Sequence, residues 1–296
     1  MTGLGALIKR NCKLFFRDKG MFFTSLITPL ILLVLYATFL AKVYRNSFAA
    51  AMPAGFSVDE ALLSGTVGGQ LVSSLLAVCC VTVAFCSNLL MVQDKTSGAR
   101  RDLTMSPVKR STLALGYFVA SALVTLIICL AALGVCLIYL YVVGWYLTAA
   151  DVLLMCLDTV ILVLLGTSLS SIINCNLSTN GQASAVGTIV SSGYGFICGA
   201  YMPISNFGTG LQKILSFLPG TYGTALFRNH ALSGVYKEMA RCGFPSEVVD
   251  GIRDSIDCNL YFFGEKVSIG AMYGVMAITV AALIGIYILI NLLRKK

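Results

Sequence analysis

Charge is scarce in this 296-residue chain. Asp, Glu, Lys and Arg together make up 11% of it, where a soluble domain carries about a quarter. Histidine occurs once, as His230, and tryptophan once, as Trp145. No CxxC is present and no ligand cluster surrounds the histidine in sequence, which excludes the usual structural zinc spacings. No Gly-Lys dipeptide occurs, so there is no GxxxxGK[ST] loop to cradle ATP phosphates. No Ser/His/Asp or Cys/His set is placed for catalysis, and one histidine cannot supply it alone. Catalytic residues and metal ligands are therefore expected to be none, and no cofactor is expected on this chain. An internal repeat is also lacking, which argues against an inverted-repeat secondary transporter.

Apolar residues are what the chain has: 57% of it. A soluble protein of this composition would expose large apolar patches and aggregate, so the bilayer is the natural solvent. The net charge of +8 does not imply nucleic acid, because the basic residues cluster beside apolar runs as membrane flanks do. The first twenty residues are too polar for a secretory signal. A span needs about twenty apolar residues, and six are predicted near 21–43, 67–92, 111–142, 150–173, 182–200 and 267–292. With both termini cytoplasmic, thirteen of the twenty-one Lys and Arg residues fall inside, among them Arg294, Lys295 and Lys296. This bias sets the orientation.

Residues 4–19 read as an amphipathic helix. Leu4, Leu7, Ile8, Cys12, Leu14 and Phe15 share one face, and Lys9, Arg10, Lys13 and Arg17 the other. Such a helix lies in the membrane interface with its bases toward anionic lipid headgroups. Aromatic residues mark the outer boundary at Tyr139, Tyr141, Trp145 and Tyr146 and again at Tyr261, Phe262 and Phe263. Small residues recur at Gly187, Ser191, Gly195 and Gly199 in the fifth span and at Gly270 and Gly274 in the sixth. Such rows let helices approach closely in lipid, within one subunit, at a subunit interface or along a translocation path.

The loop between spans two and three, 93–110, is dense in charge of both signs. Pro107 disfavours the α conformation at Ser106, so a short helix around Ala99–Met105 is expected to stop there. It is either a docking element for a soluble partner or a solvated positive-inside loop. After the fifth span, apolar pieces too short to cross are broken by Pro203, Gly208, Gly210, Pro219 and Gly220 and have to be buried against other helices. Asp158 falls within the fourth span, seven residues after Asp151. An intramembrane carboxylate either serves the path or is satisfied by Thr159, Thr125 or an outer-loop base. In the outer excursion, Val248, Val249, Ile252 and Ile256 repeat at helical spacing, which predicts a surface helix begun near Pro245. Cys242 and Cys258 also fall outside. They enclose about seventeen residues, a loop whose cross-linking is worth roughly 3 kcal/mol, and either form a disulfide or remain thiols.

The 93–110 loop resembles the one after the second span in type-2 ABC exporter permeases. The residues that carry the likeness are Asp94, Lys95, Gly98, Leu103, Ser106-Pro107, Lys109-Arg110 and Gly116, with Gly98-Ala99-Arg100-Arg101 where Gly-Thr-Leu-Glu is usual. A second likeness runs through Gly199, Pro203-Ile204-Ser205, Leu218-Pro219-Gly220-Thr221-Tyr222 and Leu226-Phe227-Arg228. The resemblance implies an all-α permease: an interfacial helix over 1–20, then a six-span domain over 21–296 with a cap over 200–266. In that family, ATPase coupling falls to the loop, here Asp94, Lys95, Gly98, Arg100, Arg101, Asp102 and Leu103. Re-entrant helices form the outer gate, here Pro203, Leu218, Pro219, Tyr222 and Arg228. The resemblance further implies two copies of a P-loop ABC ATPase carrying the ATP and Mg, and a second permease subunit, as homodimer or heterodimer. The resemblance also implies a bacterial plasma membrane as the place and a drug, peptide or lipid-like molecule as the cargo. The rivals are an ion-coupled secondary transporter, which Asp158 alone would have to serve, and a non-transporting membrane scaffold.

Overall fold

The computed structural model describes residues 2–35, 38, 42, 59–105 and 108–293. Most of the expected end of the first span (36–43), the Ser106-Pro107 stop and the terminal bases Arg294, Lys295 and Lys296 lie outside the described residues. Thirteen α-helices and one 3-10 turn (Ile204–Asn206) are seen among those residues: α1 (Thr2–Arg17), α2 (Lys19–Leu35), α3 (Glu60–Ser87), α4 (Leu89–Thr96), α5 (Ala99–Met105), α6 (Arg110–Val143), α7 (Ala149–Asn174), α8 (Asn180–Ile197), α9 (Thr209–Leu215), α10 (Pro219–Ala231), α11 (Ser233–Arg241), α12 (Ser246–Ser255) and α13 (Ile269–Leu293). The all-α expectation holds apart from one two-residue hairpin, β1 (Tyr261–Phe262) with β2 (Glu265–Lys266). Its turn residues Phe263 and Gly264 both take positive φ, the turn that suits the twist of paired strands.

Among the described residues four helical stretches are long and apolar enough to cross a bilayer: Glu60–Thr96, Arg110–Val143, Ala149–Asn174 and Ile269–Leu293. A fifth results if α1 and α2, which meet at 74° around Asp18, are one broken span. The six expected spans thus reduce to four or five on length and composition. α2 has only 17 described residues. α8 has 18, about 27 Å at the helical rise, and its glycines, serines and threonines dilute its apolarity.

The centre of the bundle is α3. It is apolar all round, and a helix of that kind is buried on every side. Nearly its whole length is covered, by α2, α6, α7, α8, α10 and α11. The helices meet closely where side chains are small. A Cβ added at Gly166 on α7 would lie 2.9 Å from the Cys80 carbonyl oxygen and 3.0 Å from the Val81 Cα on α3. Hydroxyls join the helices in mid-bundle: Ser87 meets Ser121 (2.6 Å) and Thr125 (2.8 Å). Asn88, at the α3–α4 break, donates to Ser170 and Ser171, both at 2.8 Å. In an apolar surround such contacts join helices that dispersion alone holds loosely.

The amphipathic α1 does more than float at an interface. Leu7, Asn11 and Phe15 form its buried row, and it packs along α6. Leu7 sits where Gly116 leaves room; a Cβ there would stand 3.1 Å from the Leu7 Cβ. At the other end of the bundle, α9 to α12 and the hairpin form a cap. α10, begun by Pro219 at its first position as suits a residue without an N–H, is buried among α3, α7 and α13. At 13 residues it is about 20 Å long, too short to cross. α12 begins after Pro245, where the sequence places it, and seats Val248, Val249, Ile252 and Ile256 on Tyr236, Met239 and Phe244. α5 also has the expected bounds.

Because a Cβ at Gly166 meets backbone rather than a flexible side chain, Gly166→Ala is expected to lower stability by about 1–3 kcal/mol. Gly285→Ala, with nothing within 4 Å, should leave stability unchanged or higher. Thermal unfolding of the purified chain in detergent measures both; equal midpoints would refute the α3–α7 contact.

Candidate functional site

Two groups of buried charges stand out in the described structure, one at each end of the bundle, with a third pair at Asp158. At the end carrying α1, Asp94 on α4 is buried and both its oxygens are engaged. Arg10 of α1 reaches it with two guanidinium nitrogens, at 2.6 and 3.1 Å, and Tyr117 of α6 donates its hydroxyl at 2.5 Å. A buried carboxylate needs such pairing, since burial alone would discharge it. The guanidinium fork supplies two parallel bonds at once. The next residue, Lys95, turns the other way. Its ammonium donates to the carbonyl oxygens of Asn174 (3.0 Å), Cys175 (2.7 Å) and Leu177 (2.6 Å), at and just beyond the end of α7, where a basic side chain suits a helix C-terminus. Two adjacent residues thus tie α4 to α1, α6 and α7.

Beyond Lys95 the chain turns at Gly98, whose φ of +83° favours glycine, and enters α5. Its first turn carries Arg100, Arg101 and Asp102, and no residue of α5 is buried. Leu103 rests partly against the cluster of Leu7, Met91 and Tyr117, and Met105 is 75% exposed. Of the loop residues singled out in the sequence, Asp94 and Lys95 are therefore internal fasteners. Arg101 and Asp102 face outward, with Arg100 half-buried beside them. Arg10, assigned in sequence to lipid headgroups, faces Asp94 instead.

At the cap end, Arg228 of α10 is 1% exposed. It pairs with Asp257 at 3.4 Å and donates to the Gly199 carbonyl. Asp257 also accepts the backbone N–H groups of Ile204 and of Ser205, the latter at 3.1 Å. Of the other residues singled out for the outer gate, Pro203 immediately precedes Ile204 and Pro219 opens α10. Leu218 caps α10, and the Tyr222 hydroxyl donates to the Ser216 carbonyl at 2.6 Å.

Asp158, 0% exposed, lies one helix away. Its partners are not Thr159, Thr125 or a loop base, as the sequence suggested. The Thr159 hydroxyl donates to the Met155 carbonyl at 2.8 Å, and Thr125 faces Ser87. Asp158 instead meets His230 Nδ1 of α10 at 2.6 Å and the Tyr273 hydroxyl of α13 at 2.6 Å. The His230 and Tyr273 rings are stacked, 6.2 Å between centroids. The lone histidine that sequence reading set aside is thus half of a buried pair. Its position two residues after Arg228, on a piece too short to span, was the available signal. Asp151 serves α7 itself, as a capping box with Thr148.

Cys242 and Cys258 are free thiols in the structure. Cys242 is exposed, whereas Cys258 is buried with its sulfur 3.1 Å from the Tyr236 hydroxyl. Burial pushes the Cys258 thiol up to about 11 and holds Tyr236 well above the usual phenol range.

A bundle of long apolar helices, with an amphipathic helix strapped to one end and short buried helices closing the other, defines a multi-pass membrane protein. The family described as ABC-2 type transporter matches residues 2–231, and the chain belongs to that family. It is a membrane permease component of an ABC transport system, and such permeases work with an ABC ATPase subunit. None of the curated proteins compared with the chain matches it.

The clamp at Asp94 generates a measurable coupling. In a double-mutant cycle of Arg10→Ala and Asp94→Ala, the interaction energy is expected at about 0.5–3 kcal/mol, read from unfolding in detergent. Strict additivity would mean that the two side chains do not meet.

Proposed function

We propose that this chain forms, together with a second permease subunit, the pathway of an exporter driven by a separate ATPase that docks on α5. One observation carries the reading. Asp94 and Lys95 lock the base of the loop to three other helices, while α5 projects beyond them with no buried residue and with Arg101 and Asp102 outward. A push on α5 therefore passes through α4 into the central α3 and, through Arg10 and Lys95, into α1 and α7. Nucleotide and Mg²⁺ belong to the ATPase, of which two copies act on the two permease subunits. Six crossings per subunit, with α2 and α8 completing the set, place both termini and α5 in the cytoplasm of a bacterial cell. The cap then faces outward, and α9 and α10 re-enter the outer leaflet as its gate. For the second subunit, α8 offers the best face: Gly187 and Gly193 meet nothing within 4 Å, and Ile189, Phe196 and Ile197 are exposed. The cargo class that suits an apolar path is a drug, a peptide or a lipid-like molecule. An ion-coupled mechanism would need a carboxylate free to exchange its ion, whereas both oxygens of Asp158 are held.

Reversing Arg100 and Arg101 to Glu is expected to abolish ATP-driven transport in proteoliposomes with the partner ATPase, at unchanged membrane insertion. Unchanged transport would remove α5 from the coupling role.

Orientation is read from cysteine labelling in intact cells. A chain retaining only Cys242 is expected to react with a membrane-impermeant maleimide, and one retaining only Cys258 to resist it, because that thiol is buried and protonated. Labelling of Cys242 only after lysis would reverse the topology.

A further inference from the structure

The cap encloses a cavity of about 200 Å³ between the 204–222 segment and the 254–261 segment. That is many times the room a single water needs. The polar chemistry of its wall is one-sided. The hydroxyls of Ser205, Ser216, Thr221 and Tyr222 all donate to backbone carbonyls, at 2.6–3.3 Å. Both hydrogens of the Gln212 amide go to the carbonyls of Ser205 and Phe207 (3.1 and 2.7 Å). Asn259 Nδ2 and the Tyr261 hydroxyl donate to one oxygen of Asp254, Oδ1, at 2.7 and 3.1 Å. Among the described residues no donor meets Asp254 Oδ2 or Gln212 Oε1, and both residues line the cavity. The wall's other carboxylate, Asp257, is neutralised by Arg228, so Asp254 is left as an unbalanced negative charge.

We infer that this cavity binds an organic ammonium group: Asp254 and Gln212 accept its N–H hydrogens, and the rings of Tyr222 and Tyr261 cover its apolar part. An anion would meet the Asp254 charge and a single side-chain donor, the second Asn259 amide hydrogen. A Ca²⁺ ion needs six or more oxygens, and among the described residues the wall's side-chain carbonyl and carboxylate oxygens without a donor are three: Asp254 Oδ2, Gln212 Oε1 and Asn259 Oδ1. An ammonium carries up to three hydrogens and a charge for these acceptors, and aromatic rings attract a cation within about 6 Å. Asp254, Asn259 and Tyr261 lie beyond residues 2–231, the part of the chain that the family matches, so the site belongs to this chain's own cap. It does not depend on the docking role of α5, and its test needs no ATPase.

The test uses the full chain in nanodiscs and isothermal titration with benzylamine, against empty nanodiscs. Benzoate and benzyl alcohol are the anionic and neutral controls of like shape. Saturable binding of benzylamine alone is expected. Asp254→Asn should weaken it about ten-fold or more, the value of a charge-assisted hydrogen bond. Asp250→Asn, on the same helix but outside the cavity, should not. Tyr261→Leu, at a half-exposed position, removes one covering ring and should weaken binding, which keeps the test decisive if Asp254→Asn fails to fold. No saturable benzylamine binding, equal binding of benzoate or benzyl alcohol, or Tyr261→Leu indistinguishable from the unsubstituted chain would overturn the assignment.

Discussion

The cap rests on one buried ion pair, Arg228 with Asp257. Backbone that is neither helix nor sheet carries N–H and C=O groups that an apolar surround cannot satisfy. The stretch from Gly199 to Pro203 is such backbone, turned by Gly199 at a φ of +74°, and it leads into a single 3-10 turn, Ile204–Asn206, whose first N–H groups have no partner within the turn. Asp257 takes the N–H groups of Ile204 and Ser205, and Arg228 takes the Gly199 carbonyl. The two charges then neutralise each other. Removing either partner leaves the other buried and uncompensated, a loss of about 3–5 kcal/mol where it has been measured elsewhere. Asp257 itself holds a left-handed conformation, φ +54°, which a non-glycine residue keeps only when its surroundings over-determine it. The cavity beside it exists because this pair holds its wall.

The opposite end uses the same economy for a different result. Asp94 and Lys95 are successive residues with opposite charges, so their side chains diverge. One gathers α1 and α6, and the other gathers the last carbonyls of α7. The consequence is mechanical: α4 and the three elements around it form one fastened unit, and α5 is the lever left outside it. Between the two ends the helices are joined by small residues and by hydroxyls, as at Gly166 and Ser87. Helices joined in this way interlock closely without a network of buried charges. The α7–α10–α13 junction at Asp158, His230 and Tyr273 is the exception; there the cap is fastened to the spans themselves.

Contiguous residues determined much of this protein by themselves. Long apolar runs define α3, α6, α7 and α13, because crossing a bilayer is a requirement on consecutive residues. The same holds for α1, whose two faces follow from helical period, and for α12 behind Pro245. The short α5 was legible because charged residues ran up to Ser106-Pro107. The count of crossings was less legible. α2 and α8 are short or diluted with glycine and serine, and whether such helices span depends on what lies beside them.

What only the tertiary structure decided is which charge meets which. Burial dictates that Asp94, Asp158 and Asp257 have partners, but any base or donor satisfies that demand in sequence, and the chain offers twenty-one Lys and Arg residues. Arg10 lies eighty-four residues from Asp94, and His230 seventy-two from Asp158. Such separations leave no local pattern of propensity or period. The choice follows from helix packing, which places one end of α1 on α6 and slides α10 between α7 and α13. Arg10 therefore left the headgroup face that amphipathicity assigned it, and His230 became part of the core.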